Sequence, residues 1–201
     1  MIGHLKGKII AKHPPELILD VNGVGYELQA SMNTFYQLPE LGEEVTLHTH
    51  LVVREDAQLL YGFYELRERT LFRMLIKVNG VGPKMALTIL SSADPDAFVQ
   101  CVANNDVSSL VRLPGVGKKT AERLIIEMKD RLADWNENSS TVALPNNPHS
   151  VISVVDDPSR DAVSALIALG YKPQEASRAV SKVSAEGLTS EELIRLALKG
   201  L

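Results

Sequence analysis

Up to about Tyr64, apolar positions come in short alternating or β-branched runs, the period-two pattern of half-buried strands. The runs predict strands at Ile2 to Ile10, Glu16 to Val21, Gly25 to Ala30, Glu44 to Val53 and Gln58 to Tyr64, with turns at Pro14-Pro15 and Asn22-Gly23. Five such strands bury their inner faces most simply by closing on themselves, so residues 1–64 are read as a small OB-fold barrel. Its obvious aromatics, Phe35, Tyr36, Tyr61 and Phe63, are candidates either for stacking on single-stranded bases or for core and interface.

From Leu66 the apolar spacing becomes helical. Leu71, Leu75 and Val78 share one face, Pro83 suits a helical first turn, and Asp94 and Asp106 are placed to cap two short helices. A longer helix is expected from Lys118 to about Arg131, with Ala121, Leu124, Ile125 and Met128 as its packing stripe. Between Ala133 and Asp157 the pattern dissolves into Asn, Ser and Pro, which reads as a flexible linker. Helical signals then restart: Asp157-Pro158 opens one helix, Gly170 ends it, Pro173 starts the next, and Thr189-x-x-Glu192 is a capping box for a third. The expected architecture is multidomain α+β: barrel 1–64, helical domain 65–132, linker 133–157 and a UBA-like three-helix bundle 158–201. So short a bundle has a thin core, and Leu166, Leu169, Tyr171, Ile194 and Leu198 serve either that core alone or the core plus a docking surface.

One phrase occurs twice within the helical domain. Asn79-Gly80-Val81-Gly82-Pro83-Lys84-Met85-Ala86 and Pro114-Gly115-Val116-Gly117-Lys118-Lys119-Thr120-Ala121 set their glycines 35 residues apart. A Gly-x-Gly turn opening a helix lets backbone approach a phosphate, and the free N–H groups of the first helical turn then favour the anion. Met85 and Thr120 stand where a dinucleotide fingerprint needs its third glycine, and Arg112 and Lys119 break a Walker A loop. What remains is a tandem helix-hairpin-helix, which grips DNA backbone without reading bases, or two tight helical turns without a ligand. Repetition, with lysine after each turn, favours the first.

Charge sharpens this picture. The chain carries a net −4, but residues 1–65 hold four basic against nine acidic groups, 66–131 eleven against seven, and 132–201 six against nine. The one positive third contains both hairpins, as backbone binding requires. No run is long enough to span a membrane and no signal-peptide core follows Met1, so a soluble cytoplasmic protein without a membrane partner is expected. Cys101, alone in an apolar helical stretch, is expected buried and inert. His48-x-His50 lacks a third ligand, so no metal site is expected, and no cofactor.

Three stretches carry a resemblance over the whole chain: Val52-Val53-Arg54-Glu55-Asp56-Ala57-Gln58-Leu59-Leu60-Tyr61-Gly62-Phe63, both glycine hairpins with Gly117 to Leu124, and Ala168-Leu169-Gly170-Tyr171-Lys172-Pro173-Gln174-Glu175-Ala176. With the order of domains, they resemble the RuvA family of Holliday-junction-binding subunits of the bacterial branch-migration machine; the linker matches least well. The resemblance implies a non-catalytic homotetramer, single or stacked as two, that holds a four-way junction open. It implies phosphate contacts at Gly80, Gly82, Gly115 and Gly117, with charge from Lys84, Lys118, Lys119 and Arg123. It further implies that Glu55 and Asp56 form an acidic pin near the junction centre, that the tail docks the hexameric ATPase RuvB, and that the resolvase RuvC is a partner. Without the resemblance, Glu55-Asp56 is a solvated hairpin turn.

Two other function classes stay open on residue type. Base-excision glycosylases also place an aspartate after such a hairpin, where Asp130 and Asp134 stand, although no lysine-aspartate pocket or cysteine cluster accompanies them. A general DNA scaffold without junction preference is indistinguishable by sequence.

Overall fold

Alternation at the N-terminus becomes a closed barrel in the computed structural model, which describes residues 1–132, 135, 158–183 and 188–200. The strands are β1 (His4–His13), β2 (Glu16–Val21), β3 (Val24–Ala30), β4 (Glu44–Val53) and β5 (Gln58–Phe63), in the order β1-β2-β3-β5-β4. A parallel β3–β5 pair and an antiparallel β1–β4 pair complete the circle, leaving no free sheet edge. Leu5, Ile9, Leu17, Leu19, Leu28, Val45 and Leu47 fill the interior. β1 runs three residues beyond its expected end because, past an irregularity between Ile9 and Ala11, its ladder with β2 continues to His13 opposite Glu16. At the Asn22-Gly23 turn both residues have positive φ, and Gly23 N–H donates to the Asp20 carboxylate at 2.7 Å.

Gly7 sits where backbone crowds backbone. A Cβ there would lie 2.3 Å from the Asp20 carbonyl oxygen. Gly7→Ala is therefore expected to destabilise the first unit by about 1–3 kcal/mol through overpacking, read as a lower urea midpoint with an unchanged slope.

A helix that the apolar pattern does not announce, α1 (Met32–Gln37), interrupts the barrel between β3 and β4. Its six residues are too few to display a helical period, but the Ser31 hydroxyl accepts from Thr34 N–H at 3.1 Å as an N-cap. The helical domain follows as α2 (Leu66–Leu75), α3 (Pro83–Ser92), α4 (Pro95–Ala103), α5 (Val107–Val111) and α6 (Lys118–Arg131). Asp94 and Asp106 cap α4 and α5 as expected, accepting from Asp96 N–H and Ser109 N–H.

Barrel and helices belong to one unit, Met1–Pro148. Tyr61 and Phe63 of β5 lie in one core with Leu71, Phe72 and Leu75 of α2, and the Phe72 ring is 4.9 Å from each barrel aromatic. Those two aromatics, and Phe35 inside the barrel, are thus core rather than a stacking platform; Tyr36 is exposed. At the far end of α6, Trp135 is buried under Arg67 of α2, whose guanidinium lies 4.8 Å from the indole centroid and pairs with Asp96 of α4 at 2.7 Å.

In the second unit, His149–Leu201, the described helices are α7 (Pro158–Ala168), α8 (Pro173–Val183) and α9 (Ser190–Lys199). Gly170, at φ +103°, follows α7, and Thr189 with Glu192 forms the expected capping box. The linker assignment and the Asp157 cap lie outside the described residues, Trp135 apart.

Candidate nucleic-acid interface

The two glycine phrases fold into turns with matching backbone angles and hydrogen bonds. Gly80 and Gly115 have φ +88° and +80°, a left-handed conformation that side chains strain. Val81 and Val116 are buried beneath them, and their N–H groups donate to Val78 and Leu113 carbonyls at 3.0 and 3.1 Å. Gly82 and Gly117 then cap α3 and α6 with φ/ψ of −84°/169° and −82°/167°. That is ordinary extended backbone open to any residue, and a Cβ at either position would meet nothing within 4 Å. Neither conformation nor internal packing demands glycine at 82 or 117, and what an absent side chain leaves there is open space over a helix N-terminus.

Capping chemistry points the same way. Asp94, Asp106 and Thr189 each supply a side-chain oxygen to their helices, whereas Gly82 and Gly117, like Glu65 before α2, supply none, so the first-turn N–H groups of α3, Pro83 apart, and of α6 have no side-chain cap. Lys84, Lys118 and Lys119 are exposed in those first turns. Positive charge at a helix N-terminus opposes the dipole, so these lysines cost a little stability and become favourable when an anion arrives. Arg123 is placed differently. Its Nη1 donates to the Asn79 carbonyl at 3.1 Å, so a residue of the second hairpin's helix braces the first hairpin's turn.

The β4–β5 connection is a tight turn closed by Arg54 N–H donating to the Ala57 carbonyl at 2.8 Å, with Glu55 and Asp56 exposed at its tip. His48 is buried on β4 opposite His4, and burial together with the nearby Arg69 and His4 pushes its pKa down; burial and Arg73 do the same to His50. Among the described residues there is no group of three or more His, Cys, Asp or Glu able to hold a metal. Cys101 is only half-buried on α4, packed against the helical core. Asp130 belongs to α6, and Asp134 lies outside the described residues.

In the tail, the apolar set divides. Leu166 is 0% exposed and belongs to the core with Ala162, Ala176, Val180 and Leu193, so it offers no surface for docking. Tyr171 and Ile194 are half-buried against that core, while Leu169 is 63% and Leu198 39% exposed. Ile167 and Leu196, outside the expected docking set, are exposed to a similar degree as Leu198.

Comparison with known proteins matches this layout in three pieces: the RuvA N terminal domain over residues 1–62, a SAM-like helix-hairpin-helix tandem over 72–130, and the RuvA C-terminal domain over 157–201. Full-length relatives carry the name Holliday junction branch migration complex subunit RuvA. The chain is 59% identical to that of Pseudomonas savastanoi pv. phaseolicola, 60% to that of Stutzerimonas stutzeri and 61% to that of Pseudomonas aeruginosa strain PA14, each covering 100% of both chains. The chain belongs to the RuvA family. The RuvA N-terminal region is the closed barrel, the tandem holds both glycine turns, and the RuvA C-terminal region is the second unit's helices. Among the described residues no helix is long and apolar enough to cross a membrane.

Proposed function

We propose that the chain binds four-way junction DNA as the non-catalytic subunit of a branch-migration complex, working in the cytoplasm. The observation that carries this reading is the duplicated open cap at Gly82 and Gly117, two places where a phosphate reaches helix N–H groups past a missing side chain. Gly80 and Gly115 shape the turns. Lys84, Lys118 and Lys119 add charge, and Arg123 holds the two turns in register while its remaining N–H groups stay available to DNA. The working divisions are barrel 1–64, clamp 65–132, linker 133–157 and tail 158–201. The names of the relatives support junction DNA as ligand and a motor as partner. In this reading a homotetramer, single or stacked in pairs, surrounds the junction, the exposed Leu169 and Leu198 of the tail help dock RuvB, which hydrolyses ATP, and RuvC joins to cut the junction.

A salt-titrated gel shift comparing a synthetic four-way junction with linear duplex tests this proposal. Strong junction preference is expected, and Lys118→Ala/Lys119→Ala is expected to weaken binding and make the slope of log K against log salt shallower by up to about 2. Equal affinity for the two DNAs overturns the junction reading in favour of a general scaffold.

At the β4–β5 tip, Glu55 and Asp56 would repel phosphates near the crossing point and keep strands apart. Glu55→Gln/Asp56→Asn is expected to tighten junction binding or change the migration rate, with the thermal midpoint of the fold unmoved because both side chains are exposed. Unchanged binding and unchanged rate would remove the pin from the mechanism.

A further inference from the structure

Glu68 lies on α2, only 2% exposed, and burial pushes its pKa up; hydrogen bonds from Ser31 and Thr34 pull it back in part, and the carboxylates of Glu65 and Asp94 add a smaller upward push. Its two oxygens accept from the hydroxyls of Ser31 and Thr34 at the start of α1, the latter at 2.7 Å. Thr34 Oγ1 in turn accepts from Tyr64 N–H at 3.1 Å, just beyond β5. The same short helix also reaches α3: Met32 N–H donates to Ser91 Oγ at 3.0 Å, and Asn33 Nδ2 donates to the Leu90 and Ala93 carbonyls at 2.7 and 3.1 Å. An insert of the barrel is thus hydrogen-bonded to both helices that flank the first glycine turn.

We infer that Glu68 is a positioning residue for junction recognition: by locking α1 onto α2, it fixes the acidic β4–β5 tip relative to the two phosphate-binding turns. This rests on the junction reading above. The tip is carried by β5 and the first hairpin by α2, and only Tyr64 and Glu65 join the two elements in sequence. Apolar packing among Tyr61, Phe63 and Phe72 holds barrel and helix together, but it is non-directional and tolerates small rotations. A carboxylate between two hydroxyls is directional. Burying it costs stability that an apolar residue of similar size would not cost, so its contribution is to geometry rather than adhesion. Arg69 and Arg73 secure the same helix elsewhere, with Arg69 Nη1 donating to the Gly3 carbonyl at 2.7 Å and Arg73 Nε to His50 Nδ1 at 3.3 Å. Linear duplex meets only the hairpins; at a junction the tip's repulsion also acts, and where it acts depends on how α1 and α2 hold the barrel.

The test uses the full chain carrying Glu68→Leu, and separately Ser31→Ala/Thr34→Val, in the junction-against-duplex gel shift and in a motor-driven migration assay. The expected result is duplex affinity within about twofold of the parent and a junction affinity or migration rate changed severalfold in the same direction as by Glu55→Gln/Asp56→Asn, with Glu68→Gln, which keeps one acceptor oxygen, in between. A second readout is independent of DNA. Spin labels at Ala57→Cys and Glu122→Cys, in a Cys101→Ser background, are expected to show a distance distribution that broadens with Glu68→Leu. Parental junction affinity and migration rate with an unbroadened distribution overturn the inference, as does a parallel loss of junction and duplex binding that tracks the melting temperature. If Glu68→Leu does not fold, the hydroxyl double variant decides by the same two readouts. A parent protein without junction preference overturns the function reading instead, while the label distance still decides whether the latch fixes the tip.

Discussion

Gly82→Val/Gly117→Val is expected to fold and to lose most of its DNA affinity. Both positions have extended backbone that valine adopts readily, and the Cβ meets no protein atom within 4 Å, so the cost to folding is confined to a poorer helix cap, about 1 kcal/mol or less at each. The branched side chain would occupy the space through which a phosphate oxygen reaches the first-turn N–H groups. Hydrogen bonds to a charged partner contribute about 1.5–3 kcal/mol each, so blocking one such contact at both clamps predicts a loss of roughly a hundredfold or more in affinity. Circular dichroism and urea unfolding would report the fold, and the gel shift the binding. Gly80→Val/Gly115→Val is the opposite control: positive φ makes valine strained there, and lost binding would accompany lost stability. Affinity within about threefold of the parent for the 82/117 pair would show that anions do not enter at these caps.

Deleting residues 158–201 is expected to leave junction affinity within about twofold of the full chain and to abolish ATP-driven branch migration with the partner ATPase. The first unit has its own continuous core and both glycine turns, so every element of the proposed clamp lies within it. Those helices have a small core of largely alanine and leucine, with Leu169 and Leu198 left in solvent, which suits a module whose apolar surface is completed by another protein. Migration at the parental rate by the truncated chain would move motor docking to the first unit. A finer test is Leu169→Asp/Leu198→Asp, which spares the buried Leu166 and predicts the same loss of migration with the bundle still folded.

Most of the fold was legible because its signals are local. Alternation located all five strands to within a few residues, Asp94, Asp106 and Thr189 marked helix starts, and the glycine repeat marked both hairpins. What escaped was non-local. α1 is too short to show a period, and nothing near Glu68 in the sequence says that its partners are 34 and 37 residues away. Within the candidate site, residue type and spacing named Lys84, Lys118 and Lys119, and the structure places them in exposed first turns. Arg123 looked like one more such charge, and only the fold brings it to Asn79. Leu166 and Leu169 are three apart on one helical pattern, yet one is core and the other solvent, because near Gly170 the chain turns and the core ends between them.

The clasp of Trp135, Arg67 and Asp96 gives the first unit a mechanical polarity. Arg67 lies in the first turn of α2 and Asp96 in that of α4, while Trp135 follows the last turn of α6, so the clasp sits at the pole opposite both glycine turns. α6, fourteen residues and hence about 21 Å long, spans the two poles. A pull on the chain at Trp135 would first have to free an indole that lies against an ion-paired guanidinium, and α6 joins that pole to the second glycine turn, where a phosphate is proposed to bind. The clasp would thus guard the end of α6 against fraying, at the end of the helix remote from its glycine turn.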